Sequence, residues 1–191
     1  LYLSSNKISN ICVLEIIRNI THLDLSNNKI IDISPLKENT HLAYLNISNN
    51  QISNISSLKK IISLNHLDST YNRISDISAL AKLTNLNNLD ISDNQISNVN
   101  ALAKLTNLNN LGLSDNQISN VNVLAKLTNL NNLYLSFNQI STIGYSLFQQ
   151  FPNYNLEKYG KSKGLSIGSN PIISPPISIL RQGKETVLSW Y

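Results

Sequence analysis

LDISDNQISNVNALAKLTNLNN, residues 89–110, returns almost unchanged as LGLSDNQISNVNVLAKLTNLNN, residues 111–132. Within the unit, Leu86, Leu89, Ile91, Asn94 and Ile96 spell LxxLxLxxNxI. The skeleton recurs every 22 residues from Leu1 through Leu23, Leu45, Leu67, Leu89 and Leu111 to Leu133. A period in the twenties means that each unit is too small to bury its own apolar face and does so only against its neighbours, which predicts a solenoid with one continuous core.

The skeleton resembles that of leucine-rich repeats, in particular the 22-residue bacterial or protein-phosphatase-regulator type. The fold expected is an α/β solenoid, an arc with a parallel β-sheet on the concave face, short 3₁₀ turns on the convex face and a helical C-terminal cap. The first and third positions of each LxL point inward and their neighbours outward, as strand alternation requires. Asn6, Asn28, Asn50, Asn72, Asn94, Asn116, Asn138 and Asn170 fall at the turn after the strand, where an amide can satisfy backbone groups that the coil would otherwise bury unpaired. Val99, Leu102, Leu105 and Leu108 recur at spacings of three, which suits a 3₁₀ turn and leaves too few residues for a full helix.

Three places break the register. Asn39 stands where a leucine belongs. Ser69 replaces the inward apolar residue of its strand, and a buried hydroxyl without a partner costs about 1–3 kcal/mol. After Ile140 the next match is Leu165, Ile167, Asn170 and Ile172, so that Leu165 follows Leu133 by 32 residues. The inserted stretch carries Phe148, Phe151, Tyr154 and Tyr159, a set able to cover the end of the core. A short helix is predicted over about 145–150, ended by Pro152. The expected division is residues 1–144 for the repeats and 145–191 for an irregular last repeat with its cap, the whole forming one domain. GKS at 160–162 lacks the first glycine of a phosphate loop and does not follow a strand, so no nucleotide is expected there.

In the tail, Pro175 and Pro176 can open a helix, Ile177 and Leu180 give it an apolar side, Gly183 ends it, and Val187, Leu188 and Trp190 make a second apolar face. The run NPIISPPISILRQGKETVLSWY is similar to the junction at which the repeats of bacterial Roco proteins meet a Ras-like GTPase module. That resemblance implies a regulatory or partner-binding arm of a larger GTPase. A surface-displayed adhesion repeat of the internalin kind is the alternative.

Composition narrows the function classes. The formal charge is +4, with much of the basic excess beyond the repeats, so a nucleic-acid footprint is not expected. No run approaches 18 apolar residues, and no membrane span is expected. One cysteine, Cys12, allows no internal disulfide, which favours the cytoplasm; a small buried thiol is its ordinary reading. The chain starts inside a repeat and reads as an excised domain, whose first strand would leave an open edge suited to self-association.

Outward strand positions carry the candidate contacts with a protein or an adjacent domain: Tyr44, His66, Asp68, Tyr71, Arg73, Asp90 and Asp93, with a second group at Tyr134 and Phe137. Aromatic and charged side chains on a rigid sheet are typical interface anchors. The copies around Asn88, Asn110, Gly112 and Asn132 read as a plain spacer. His66, Asp68 and Ser92 suggest no enclosed hydrolytic site, and neither a metal nor a cofactor is expected.

Overall fold

Three-residue strands follow from the LxL pattern, each too short to persist except by pairing with its neighbours. In the computed structural model, which describes residues 1–151, 153–156 and 164–191, they are β1 (His22–Asp24), β2 (Tyr44–Asn46), β3 (His66–Asp68), β4 (Asn88–Asp90), β5 (Asn110–Gly112) and β6 (Asn132–Tyr134). All pair in parallel and in register, Leu23, Leu45, Leu67, Leu89, Leu111 and Leu133 standing opposite one another. Strands β1 to β5 each return through a 3₁₀ turn, as in Ser56–Lys60, Ser78–Lys82, Asn100–Lys104 and Asn122–Lys126. The central unit shows the core: Leu86, Leu89, Ile91, Ile96, Val99, Leu102 and Leu105 are at most 2% exposed. Burying each such side chain contributes about 1.5–3 kcal/mol before the entropy of ordering the chain is subtracted.

The asparagine ladder is the polar counterpart of that core. The Asn116 amide nitrogen donates to Ile91 O (3.0 Å), Leu113 O (3.2 Å) and Ser114 O (3.2 Å), while its carbonyl oxygen accepts from Ile96 N (2.9 Å). Asn28, Asn50, Asn72, Asn94 and Asn138 repeat the arrangement. One side chain therefore ties two consecutive turns of the coil.

The insertion after Ile140 does more than cover the core. Helix α1 (Tyr145–Gln150) is followed by β7 (Tyr154–Asn155) and β8 (Gly164–Ser166), and the sheet order is β1-β2-β3-β4-β5-β6-β8-β7. The later strand pairs with β6, Leu133 opposite Leu165, and the earlier strand lies outside it. A Cβ on Gly164, whose φ is +113°, would lie 2.5 Å from Asn153 O, so the close approach of the two strands requires glycine. Phe148 and Phe151 are 1% exposed, and the Tyr154 ring meets Phe148 edge to face at 5.3 Å while its hydroxyl donates to Leu180 O. Helices α2 (Ile177–Leu180) and α3 (Lys184–Trp190) complete the cap, with Pro176 preceding α2, Gly183 between the two, and Leu180 and Val187 buried. Lys184 Nζ donates to Phe151 O at 2.7 Å and ties α3 back to the insertion. Pro152, Tyr159 and the GKS at 160–162 lie outside the described residues.

One expectation needs correction. Cys12 is exposed, because Ile11 and Leu14 supply the buried positions of the first unit and the turn Cys12–Glu15 carries the thiol outward. Of the serines that follow the strands, Ser26, Ser92 and Ser136 are buried where the chain turns inward. The two register breaks behave as their chemistry dictates. Ser69 is fully buried with its hydroxyl unpartnered, and Asn39, also fully buried, donates to Leu14 O at 2.9 Å while its carbonyl oxygen finds no partner.

Candidate protein-binding surface

Outward columns of the sheet are one strand spacing apart, about 4.8 Å, so flat side chains in one column can stack. His22, Tyr44 and His66 do so: the ring centroids are 6.0 and 4.5 Å apart with interplanar angles of 15° and 9°. From β4 onward the same column changes character. Asn110 donates to the Asn88 carbonyl oxygen (2.6 Å) and Asn132 to that of Asn110, and Gly164 N donates to Asn132 (3.2 Å). The face thus has an aromatic half and an amide half. Burial lowers the His66 pKa, opposed by Asp68 and Asp90, and so favours the neutral ring of the stack.

The next column, Asp24, Asn46, Asp68 and Asp90, caps the strand ends. Each side-chain oxygen accepts from the backbone N–H two residues on, at 2.9–3.1 Å, and Asn46 and Asp68 also accept from the hydroxyls of Ser48 and Thr70. Asp68 and Asp90 therefore shape the backbone as well as presenting charge. Gly112 interrupts this column, and the Asp90 side chain lies over it.

The third column was not legible as special. Ser5, Asn27, Asn49, Tyr71, Asp93, Asp115, Phe137 and Ser169 all have φ between 51° and 57°, the left-handed region. Asn and Asp enter that region with little penalty, whereas a bulky aromatic is strained by about 1–2 kcal/mol. Tyr71 nevertheless occupies it with 61% of its surface exposed. The Asn-to-aromatic substitutions at this period were the signal available in the sequence. Asp93 sits between Asp90 and Asp115 and its pKa is raised to about 6, by burial first and then by those two charges; burial also raises that of Asp115.

The structure brings Tyr44, His66, Asp68, Asp90 and Asp93 onto neighbouring strands and strand ends, with Tyr71 at the end of β3. Arg73 stands apart: it follows the ladder residue Asn72, its N–H donates to Ile52 O (2.8 Å), and its side chain is exposed on the outgoing chain. Tyr134 and Phe137 belong to β6 and the turn after it, three strands from β3 or about 14 Å. They form a separate patch. His22, which the candidate set omitted, joins the stack. Among the described residues no group of three His, Cys, Asp or Glu side chains is arranged to hold a metal ion, and no helix is long and apolar enough to cross a membrane.

Comparison with known proteins agrees with this architecture. The family described as "Leucine Rich repeats (2 copies)" matches residues 18–60 and 106–149. An internalin (inlF) from Listeria monocytogenes is 32% identical with a TM-score of 0.80, over 90% of this chain and 48% of its own. An internalin C2 (inlC2) from the same organism is 31% identical with a TM-score of 0.57, over 73% of this chain and 72% of its own. The ectodomain of the plant membrane receptor kinase GASSHO1/SCHENGEN3 from Arabidopsis thaliana shares the fold at 23% identity and a TM-score of 0.65, over 73% of this chain and 18% of its own. Among curated proteins the sequence finds no significant match. The chain spans about half the length of the first internalin.

These relatives overturn the cytoplasmic assignment, because the internalins are secreted or surface-displayed proteins. The inference from one cysteine failed for a physical reason. A solenoid held by a continuous leucine core and an amide ladder has no need of disulfides, so its cysteine count does not report the redox compartment. Nothing in the comparisons ties the chain to a Roco-type GTPase.

Proposed function

Because the chain belongs to the leucine-rich repeat family, as a non-catalytic protein-binding module, we propose that it is an internalin-like surface repeat whose concave face takes up a protein partner. The observation that carries this reading is Tyr71. An aromatic side chain held in a left-handed conformation and left 61% exposed costs stability without returning any through burial, and strain of that kind concentrates where a surface has a task. On the same sheet the His22–Tyr44–His66 stack offers a flat, preordered anchor of low conformational entropy, and the acidic group Asp68, Asp90 and Asp93 adds polarity to the face. The partner expected is a folded extracellular protein domain presenting apolar and basic side chains.

The test is a display screen against host cell-surface ectodomains, followed by titration of any hit with the wild type and with a Tyr44→Ala, Tyr71→Asn, Asp90→Asn variant. Loss of about tenfold or more in affinity supports the concave face. Unchanged affinity removes it.

The reading as a Roco arm rests on the tail alone, where Pro176, Leu180, Gly183 and Val187 build the cap described above. The gene beyond Tyr191 decides it. A phosphate-loop GxxxxGK[ST] followed by a Ras-like module would favour it, and another kind of domain would remove it.

A further inference from the structure

The charges of the central repeats are segregated by face. Between residues 77 and 131 the only carboxylates are Asp90, Asp93 and Asp115, all on the concave side, and the only cations are Lys82, Lys104 and Lys126. With Lys60 of the preceding unit, these lysines are the last residues of four consecutive 3₁₀ turns. All four are exposed, and none has an acidic partner among the described residues, where Lys37–Glu15 is the one ion pair (3.7 Å). Near-neutral repeats thus present a row of unpaired ammonium groups, one per repeat.

Beside the row runs an open trough of about 850 Å³, lined chiefly by Asn85, Asn87, Asn107, Asn109, Asn129 and Asn131. Ser63, Asn85, Asn107 and Asn129 each follow a row lysine by three residues, a span of at most about 10 Å of chain. Asn85, Asn107 and Asn129 each spend one amide hydrogen on a backbone carbonyl of the preceding unit at 2.8 Å. The remaining amide hydrogen and carbonyl oxygen stay available to a ligand. A trough of amides without aromatics or charges suits neither an apolar ligand nor stacked bases, but it matches hydroxyl groups, which need a donor and an acceptor together.

We propose that this flank, the lysine row with the amide trough, binds a linear acidic polysaccharide, the lysines taking its anionic groups and the asparagines its hydroxyls. The trough adjoins the strand starts, where Asn87 and Asn109 accept hydrogen bonds from Asn88 and Asn110 of the concave face. The probe is a heparin-derived decasaccharide, titrated calorimetrically into the intact chain at about 50 and about 200 mM salt. Binding is expected at the lower salt and should weaken at the higher. A Lys82→Ala, Lys104→Ala, Lys126→Ala variant should lose about tenfold or more in affinity. An isosteric Asn109→Asp, Asn131→Asp variant, which alters the trough and leaves the lysines, should lose about fivefold. Should the triple variant fail to fold, Lys104→Gln alone carries the comparison. Absence of binding at low salt overturns the proposal. So does equal affinity for a duplex DNA of matching charge, or an unchanged affinity in either set of variants.

Discussion

The Asp90 carboxylate occupies the space in which a side chain on Gly112 would begin: a Cβ there would lie 2.2 Å from Asp90 Oδ1 and 2.5 Å from its Cγ. The two residues face each other across β4 and β5, and the same carboxylate oxygen accepts from Ser92 N at 3.1 Å. Gly112→Ala should therefore displace Asp90 and cost about 1 kcal/mol or more through the lost hydrogen bond. Once Asp90 is already alanine, the same glycine substitution should cost much less. A double-mutant cycle by denaturant titration reads this coupling.

Asp93 should make stability depend on pH. Its folded pKa, raised to about 6, exceeds the unfolded value near 3.8, so between those values the folded state holds more protons than the unfolded one. Stability contributed by this group is present below about pH 4 and falls as pH rises to about 6. Asp93→Asn should accordingly be more stable than the wild type at pH 8, with the advantage vanishing toward pH 4. Denaturation midpoints at the two pH values test the sign.

The amide ladder should be strongest where it is buried. Asn116→Ala removes the partner of three carbonyls and one N–H in the interior and should cost about 3 kcal/mol. Asn6→Ala, which loses only exposed bonds to Leu3 O and Ser4 O, should change stability by less than about 0.5 kcal/mol. Equal effects at the two positions would show that the ladder is decorative.

Ser69 is a defect that a single atom can mend. Its hydroxyl is fully buried and unpartnered, so Ser69→Ala should raise stability by about 1 kcal/mol, visible as a rise in Tm.

Tyr71→Asn should separate stability from binding. Asparagine suits a φ of 52°, and the substitution should gain about 1 kcal/mol while weakening the partner proposed for the concave face. A variant that gains stability and binds unchanged would leave the strain without a purpose.

The arc, its parallel sheet and its 3₁₀ returns could be read from the sequence because a 22-residue period states the same physical demand seven times. The amide ladder was readable for the same reason. What escaped the sequence depends on backbone torsion and on contacts across strands. No pattern of hydrophobicity shows that Tyr71 and Phe137 have left-handed backbones, that the Asp column caps strand ends, or that Gly112 is a notch beneath Asp90. The stack of His22 on Tyr44 needs the register, which only the pairing supplies. Cys12 misled because the first unit departs from the consensus whose burial pattern was assumed for it.

The crossing of β7 outside β8 carries a consequence for how this protein can vary. A plain solenoid ends wherever its last coil ends, and it can lengthen by one more copy at that point. Here the outer edge is taken by a strand that comes earlier in the chain than the one it covers, closed by the Asn153–Gly164 contact and pinned by Tyr154. Duplication or loss of a repeat among the units of β1 to β5 leaves the β6–β8 pairing that seats that closure in place. The array is thus a ruler of adjustable length with a fixed buckle, and the near-identity of residues 89–110 and 111–132 is what one recent notch on such a ruler would look like.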